Sequence, residues 1–211
     1  GEQFIDLLRE LDKVDGIERY RISSIEPNLI TDDIIEFCAA SKKFVPHFHI
    51  PLQSGSTRIL GLMRRRYTAE RYRERIAKIR ELMPDAFLGV DVIVGFPGEG
   101  EEEFMETYRL LESVGASFLH IFPFSERPGT PAVTMPHKVQ SRIATERVER
   151  LESLSKKLYK SFAEKYLGTT RSVLFESTDH SGQMFGYTDN YLRVTHPYDT
   201  KLINTIVNVR L

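Results

Sequence analysis

Residues 89–99, Gly-Val-Asp-Val-Ile-Val-Gly-Phe-Pro-Gly-Glu, constrain the fold more than any other stretch of the chain. They read as a buried strand that breaks into a Gly/Pro loop, and Glu101, Glu102 and Glu103 then open a helix. A strand that ends in a glycine loop and feeds a helix is where α/β proteins place their chemistry. Val90, Val92 and Val94 share one face of this strand, and Asp91, Ile93 and Gly95 share the other. A carboxylate in mid-strand needs a polar partner or a function, because burying it alone is costly.

The same alternation runs through the first 125 or so residues. Helical spacing of Phe4, Leu7, Leu8 and Leu11 predicts a helix over 2–14. Residues 19–25 read as a strand stopped by Glu26-Pro27, and Thr31 caps a helix to about residue 41. A strand follows over 46–52, then the loop Gln53-Ser54-Gly55-Ser56 and a short helix from Thr57 to about Arg65. Thr68 caps a longer helix to about Met83; after the 90–94 strand come a helix over 101–114 and a strand over 118–124. Helix-separated strands with short connections predict a parallel sheet. Phe48, Ile50, Leu52, Leu119 and Ile121 point at the helices, whereas His47, His49, Gln53, Asp91, His120 and Phe122 point the other way. Polar groups on that second face suit the interior of a whole or partial barrel better than an open sheet covered on both sides.

Beyond residue 125 the pattern changes. Residues 125–131 form a Pro/Gly loop, and 137–167 a long charged helix with Ile143, Val148, Leu151, Leu154, Leu158 and Phe162 at near-helical spacing. Gly168 closes it. Short strands are predicted over 171–177, 184–188, 190–196 and 202–210, with turns at 179–182, 188–190 and 197–199. The organisation expected is a partial barrel over 1–135, a linker helix over 136–168 and a small β domain over 169–211.

Composition bounds the partners. The net charge is −1, so nucleic acid must be held by a local patch. No apolar run reaches the roughly 18 residues of a membrane span. Cys38 is the only cysteine, in the apolar helix around Ile34 and Phe37. It reads as a buried, inert thiol, and the absence of a disulfide framework fits a reducing, cytoplasmic setting.

The strand-end loops, taken in order, carry a resemblance. Ser23-Ser24-Ile25-Glu26-Pro27, His49-Ile50-Pro51-Leu52-Gln53-Ser54-Gly55-Ser56, Met63-Arg64-Arg65-Arg66-Tyr67-Thr68, Asp91 to Glu99 and Ser125-Glu126-Arg127-Pro128-Gly129-Thr130 resemble successive segments of the radical S-adenosylmethionine (SAM) methylthiotransferases. The β region resembles the TRAM domain, an RNA-binding barrel that closes chains of this family. The resemblance covers essentially all 211 residues. It implies a partial TIM-like radical SAM barrel comprising the last four strands, a linker helix and a TRAM-like barrel. Ser23 to Asn28 resembles the branch acting on threonylcarbamoyladenosine next to the tRNA anticodon. Sister branches act on isopentenyl-adenosine in tRNA or on a ribosomal protein.

The cofactors implied are SAM and two 4Fe-4S clusters, with an electron donor for the cluster and the tRNA anticodon stem-loop as partners. Family members hold the SAM-binding cluster with a CxxxCxxC motif, which is absent here. Both ends read as cut, so the expectation is a carboxy-terminal piece that positions the cofactor and is inactive alone. In the family the end of the 90–94 strand lies against the adenine of SAM, which implies that role for Gly95; Phe122 on the next strand is assigned to the same cofactor. Gln53, Ser54 and Ser56 are placed near its methionine or ribose part, though Ser56 serves equally as a helix N-cap. Arg65 suits the SAM carboxylate, since guanidinium binds carboxylate bidentately; the alternative for Arg64, Arg65 and Arg66 is a helix C-terminus facing solvent. Glu26 suits ribose hydroxyls or a turn, and Asp91 orients Arg65 or the SAM ammonium, or forms a structural ion pair.

Tyr187, Tyr191 and Arg193 offer an RNA-stacking surface, with Tyr198 nearby, or else pack a β barrel. Arg171, Arg193, Lys201 and Arg210 are balanced by Glu176, Asp179, Asp189 and Asp199, so charge in this region gives RNA little hold. His47, His49 and His120 raise a different class, a metal-dependent barrel hydrolase, but no further ligand stands at a clear spacing and no metal site is assigned. A non-enzymatic RNA-binding module is the third class; the glycine loops and interior polar groups argue against it.

Overall fold

The computed structural model describes residues 3–177 and 181–211. The first unit runs α1 (Phe4–Lys13), β1 (Tyr20–Ile22), α2 (Asp32–Ala40), β2 (Phe44–His49), α3 (Thr57–Leu62), α4 (Ala69–Leu82), β3 (Phe87–Val94), α5 (Glu101–Ser113) and β4 (Phe118–Pro123). A 3-10 turn (Pro131–Thr134) leads into α6 (Ser141–Glu164). The second unit holds β5 (Thr170–Phe175), β6 (Gln183–Thr188), β7 (Arg193–Pro197), a 3-10 turn (Thr200–Leu202) and β8 (Ile206–Arg210). Residues 179 and 180 of the expected 179–182 turn lie outside the described residues.

β1 to β4 form one parallel sheet in sequence order, as the alternation predicts. β1 is shorter than expected because its register with β2 slips between Tyr20 and Ile22. β2 ends at His49, just short of Pro51, which has no N–H for a ladder. The chain nevertheless stays alongside β3: the Leu52 and Gln53 N–H groups both donate to Asp91 O, at 3.1 and 2.9 Å. Helix starts follow local chemistry. The Thr68 hydroxyl accepts the Arg71 N–H at 3.2 Å, and the Gly100 N–H donates to Glu103 Oε2 at 2.8 Å.

The helix-facing side of the sheet makes a single core. Phe48, Ile50, Leu52, Val90, Val92 and Leu119 pack against Ile35 of α2, Tyr72 and Ile76 of α4, and Phe104 and Leu111 of α5. Each such side chain, fully buried, contributes about 1.5–3 kcal/mol relative to exposure.

One expectation needs correction. The helix after residue 136 is no free linker. α6 lies along the sheet beside β4: Leu151 and Leu154 enter the main core, and Ser155 Oγ accepts the Leu119 N–H at 3.0 Å. Its leucines are spaced to cover apolar strand, and Leu119 gives them a surface. The second unit, expected as a truncated TRAM-like domain, is an antiparallel sheet of order β7-β6-β5-β8, with no β7–β8 pairing among the described residues. Val173, Phe175 and Met184 form its own small core. Gly186 is obligatory there, since a Cβ would stand 2.6 Å from Val173 Cγ1.

The two units are joined below the strands' N-terminal ends. Arg19 donates to Ser172 O at 2.9 Å, and Arg171 bridges Asp189 and Asp85 at 2.8 and 3.0 Å. Phe162 and Tyr166 at the end of α6 pack with Phe87 and Leu192.

Candidate functional site

The C-terminal ends of β2, β3 and β4 open into a mouth. Gln53 bridges to Val92 and takes a left-handed φ of 66°. Its N–H goes to Asp91 O and its C=O takes the Ile93 N–H, each at 2.9 Å. The residue is thus pinned on both sides while its side chain lines a 470 Å³ cavity with Ile93, Phe122, Phe124 and Arg127. Phe122 is 51% exposed there. A second cavity of 250 Å³ shares Ile93, Phe124 and Thr130 with the first and adds Arg64 and Arg65. Arg65 Nη1 lies 3.1 Å from Glu26 Oε1, so the two residues assigned separately to carboxylate and ribose are joined across the mouth.

The loop after β3 is rigidly held. Gly95 has φ of 79°, and its N–H donates to Glu99 Oε1 at 2.8 Å. The same carboxylate oxygen accepts Arg147 Nη1 at 2.7 Å, with the two side chains only 1% and 5% exposed. Burial pushes the Glu99 carboxyl up, against the opposing pull of the Gly95 N–H and the Arg147 charge. A Cβ on Gly95 would come 3.0 Å from the Ala144 methyl, so α6 lies against this loop.

One layer down, the inner face carries a polar cluster. His49 Nε2 and Asp91 Oδ1 are 2.7 Å apart, and the His120 ring stacks on His49 with centroids 5.0 Å apart. Asp91 therefore engages His49 and not Arg65. Ligand atoms of His49, Asp91 and His120 all lie within 4.8 Å of one another. Two imidazoles and a carboxylate are donors that suit a divalent transition metal. Burial, with His49 beside it, holds His120 below the ordinary histidine range, which favours neutral imidazole. His47, read from sequence with these two, stands apart, sealed under Phe87 and Tyr191.

Ser54 and Ser56 do not reach the mouth. Both are buried; Ser54 Oγ accepts the Ser56 N–H at 3.2 Å and lies 3.4 Å from Thr107 Oγ1 of α5. Gly55 makes this possible, because a Cβ there would sit 2.5 Å from Thr107 Cα. The loop turns its serines to the helix layer and leaves Gln53 alone at the opening.

The residues expected to face RNA each have a partner within the chain. The Tyr191 ring lies 4.4 Å from His47 and 4.6 Å from Tyr187, with the Arg21 guanidinium 4.5 Å from its centroid. Arg193 lies 3.7 Å over the Phe185 ring. Cys38 is buried in α2, and burial pushes its thiol up to about 12. Iron–sulfur clusters are ligated by thiolate, so these residues do not fit a cluster. They do fit SAM: the mouth offers a guanidinium, a carboxylate and an amide, whereas Gly95 opens on a separate 510 Å³ cavity beside Val139 and Ala144 that shares Pro123 and Phe124 with the mouth.

Sequence reasoning missed Arg147 as the anchor of the Gly95 loop. Its signal was a lone arginine beside Val148 on the apolar stripe of α6. It also missed the pairing of Asp91 with His120, which depends on strand register.

The Radical SAM superfamily matches residues 1–111. Along 99% of its length the chain is 45% identical to the threonylcarbamoyladenosine tRNA methylthiotransferase MtaB of Bacillus subtilis, covering 47% of that protein. It is 39% identical along 100% of its length to the tRNA-2-methylthio-N(6)-dimethylallyladenosine synthase of Acetivibrio thermocellus, covering 44% of it. The chain thus spans about half the length of the curated relatives it matches. Among solved structures, coproporphyrinogen III oxidase (HemN) of Escherichia coli, a radical SAM enzyme, superposes with a TM-score of 0.54 at 16% identity, over 73% of this chain and 36% of that one. That likeness concerns the fold alone.

Proposed function

Because this chain belongs to the radical SAM superfamily, we propose that the protein is a tRNA methylthiotransferase acting on threonylcarbamoyladenosine next to the anticodon. The observation that supports this reading best is likeness along essentially the whole chain to two enzymes named for methylthio modification of tRNA. The higher identity to the threonylcarbamoyladenosine enzyme, 45% against 39%, favours that branch.

SAM, together with an iron–sulfur cluster reduced by an electron donor, supplies the radical chemistry when bound. This chain's residues bind and orient. Arg65 takes the SAM carboxylate, exchanging part of its contact with Glu26, and Glu26 is then free to accept from ribose hydroxyls. Gln53 offers an amide and Phe122 an apolar wall; Gly95 lines the neighbouring cavity, which meets the mouth at Pro123 and Phe124, and is assigned a backbone edge for adenine by the family likeness. Asp91 holds His49 in place below the mouth. Ser54 and Ser56 have no part, being turned to α5.

The dimethylallyladenosine branch is the second reading, on the strength of the 39% relative. Mass spectrometry of tRNA nucleosides from cells lacking the full-length gene, with and without its restoration, separates the two. Loss and recovery of methylthiolated threonylcarbamoyladenosine is expected. Disappearance of the methylthiolated isopentenyl nucleoside instead moves the protein to the sister branch, and no change in either defeats the tRNA reading.

A further inference from the structure

A tRNA needs cations to hold its backbone, and the chain's net charge of −1 means these must be gathered in one place. In the second unit they are scattered: Arg171 is tied to Asp85 and Asp189, Arg193 lies over Phe185, and the exposed Lys201 and Arg210 stand in the turn before β8 and at its far end. The rim of the mouth gathers them.

Arg64 and Arg66 are exposed on the turn after α3, where Arg64 takes a left-handed φ of 57°. Arg127 is exposed on the loop after β4. Arg64 and Arg127 line the two adjoining cavities, which share Ile93, Phe124 and Thr130, so the cations stand on two sides of one opening. Among the described residues none of the three guanidinium groups has an ion pair or hydrogen bond. Two carboxylates close to them in sequence or at the same opening already have partners. Glu26 is held by Arg65 at 3.1 Å and Glu126 by Lys138 at 2.5 Å. Two unpaired arginines, Arg64 and Arg127, therefore line the cavities into which a base must be turned, and Arg66 follows on the same turn as Arg64.

We propose that Arg64, Arg66 and Arg127 form a phosphate-contacting rim that seats the RNA backbone while the target base enters the mouth. The proposal rests on the tRNA reading above and adds the surface through which RNA docks. Arginine suits the task, since its planar fork matches phosphate oxygens and does not deprotonate.

The test uses the full-length protein and its tRNA, with the dissociation constant measured by fluorescence anisotropy across a salt series. Each phosphate contact removed lowers the slope of log K against log salt by about 0.7–0.9. Arg64→Gln with Arg66→Gln is expected to lower the slope by about 1.5 and to weaken binding at least tenfold at low salt, and Arg127→Gln to lower it by a further 0.7 or so. An unchanged thermal unfolding midpoint of the Arg64→Gln, Arg66→Gln variant serves as the control for folding. An unchanged slope in all variants overturns the rim. So does a slope that falls only when Arg193 and Lys201 of the second unit are made neutral, which puts the RNA there. If the rim variants lower the slope for any polyanion while wild type shows no preference for tRNA, the rim stands and the tRNA reading falls.

Discussion

His47 carries the clearest pH consequence of the fold. Burial, reinforced by the nearby Arg21 charge, lowers its pKa from 6.5 to about 3, so the imidazole is neutral in the folded chain. Its Nδ1 has no hydrogen-bond partner, and its ring is stacked on Phe87 at 5.6 Å. The unfolded chain binds a proton here near pH 6.5 and the folded one only near 3, so stability falls as pH drops through that window. At pH 4.5 the loss is about 2–3 kcal/mol. Thermal unfolding of His47→Phe beside wild type at pH 7.5 and pH 4.5 checks this. The aromatic variant keeps the stacking and is expected to lose less stability in acid; an equal loss in both clears His47 of the effect. Strand parity placed His47 beside His49 on the inner face. It could not say that Tyr191, from the far end of the chain, covers one and leaves the other half-buried. Asp91 shows the converse: a mid-strand carboxylate signals a polar partner in sequence, and which partner was decided by the register of β2 against β3.

Between elements, the Glu99–Arg147 pair ties the β3 loop to α6. A buried pair adds little net stability, but removing one member leaves the other charge stranded. Arg147→Met is expected to cost about 3–5 kcal/mol, and Glu99→Gln in the same background to return much of it. Urea denaturation of the single and double variants measures both; a loss below about 1 kcal/mol for Arg147→Met means the pair does not hold the loop. Gly55 is a second joint. Gly55→Ala drives a methyl into the Thr107 backbone and is expected to destabilise by about 1–3 kcal/mol or more, read by the same method. Helices and the order of parallel strands were legible, because caps such as Thr68 and the alternation in β3 are local signals. Where α6 lies was not: its apolar stripe says that it covers something, and only the fold shows that β4 is what it covers. The pairing order of the second sheet was equally hidden, since strand content is local and strand order is not.

At the scale of the whole molecule, a four-stranded parallel sheet supports a mouth at its C-terminal edge, and a small antiparallel sheet packs under the opposite end. Among the described residues no helix is long and apolar enough to cross a membrane. The superfamily was legible from the ordered loops, most of which are strand ends and one the turn between α3 and α4, where side-chain identity is set less by core packing. The membership of the site was only partly legible. Gln53, Phe122, Glu26 and Arg65 converge on the mouth, whereas Ser54 and Ser56 share its motif yet face the helices. The reading that this mouth holds SAM is tested most directly by titrating SAM into the full-length protein and into its Arg65→Met and Gln53→Leu variants. Arg65→Met is expected to weaken binding by at least tenfold, the equivalent of one charge-assisted contact at about 1.5–3 kcal/mol, and Gln53→Leu by a smaller factor. Affinity unchanged in both variants would contradict a SAM site at this edge of the sheet.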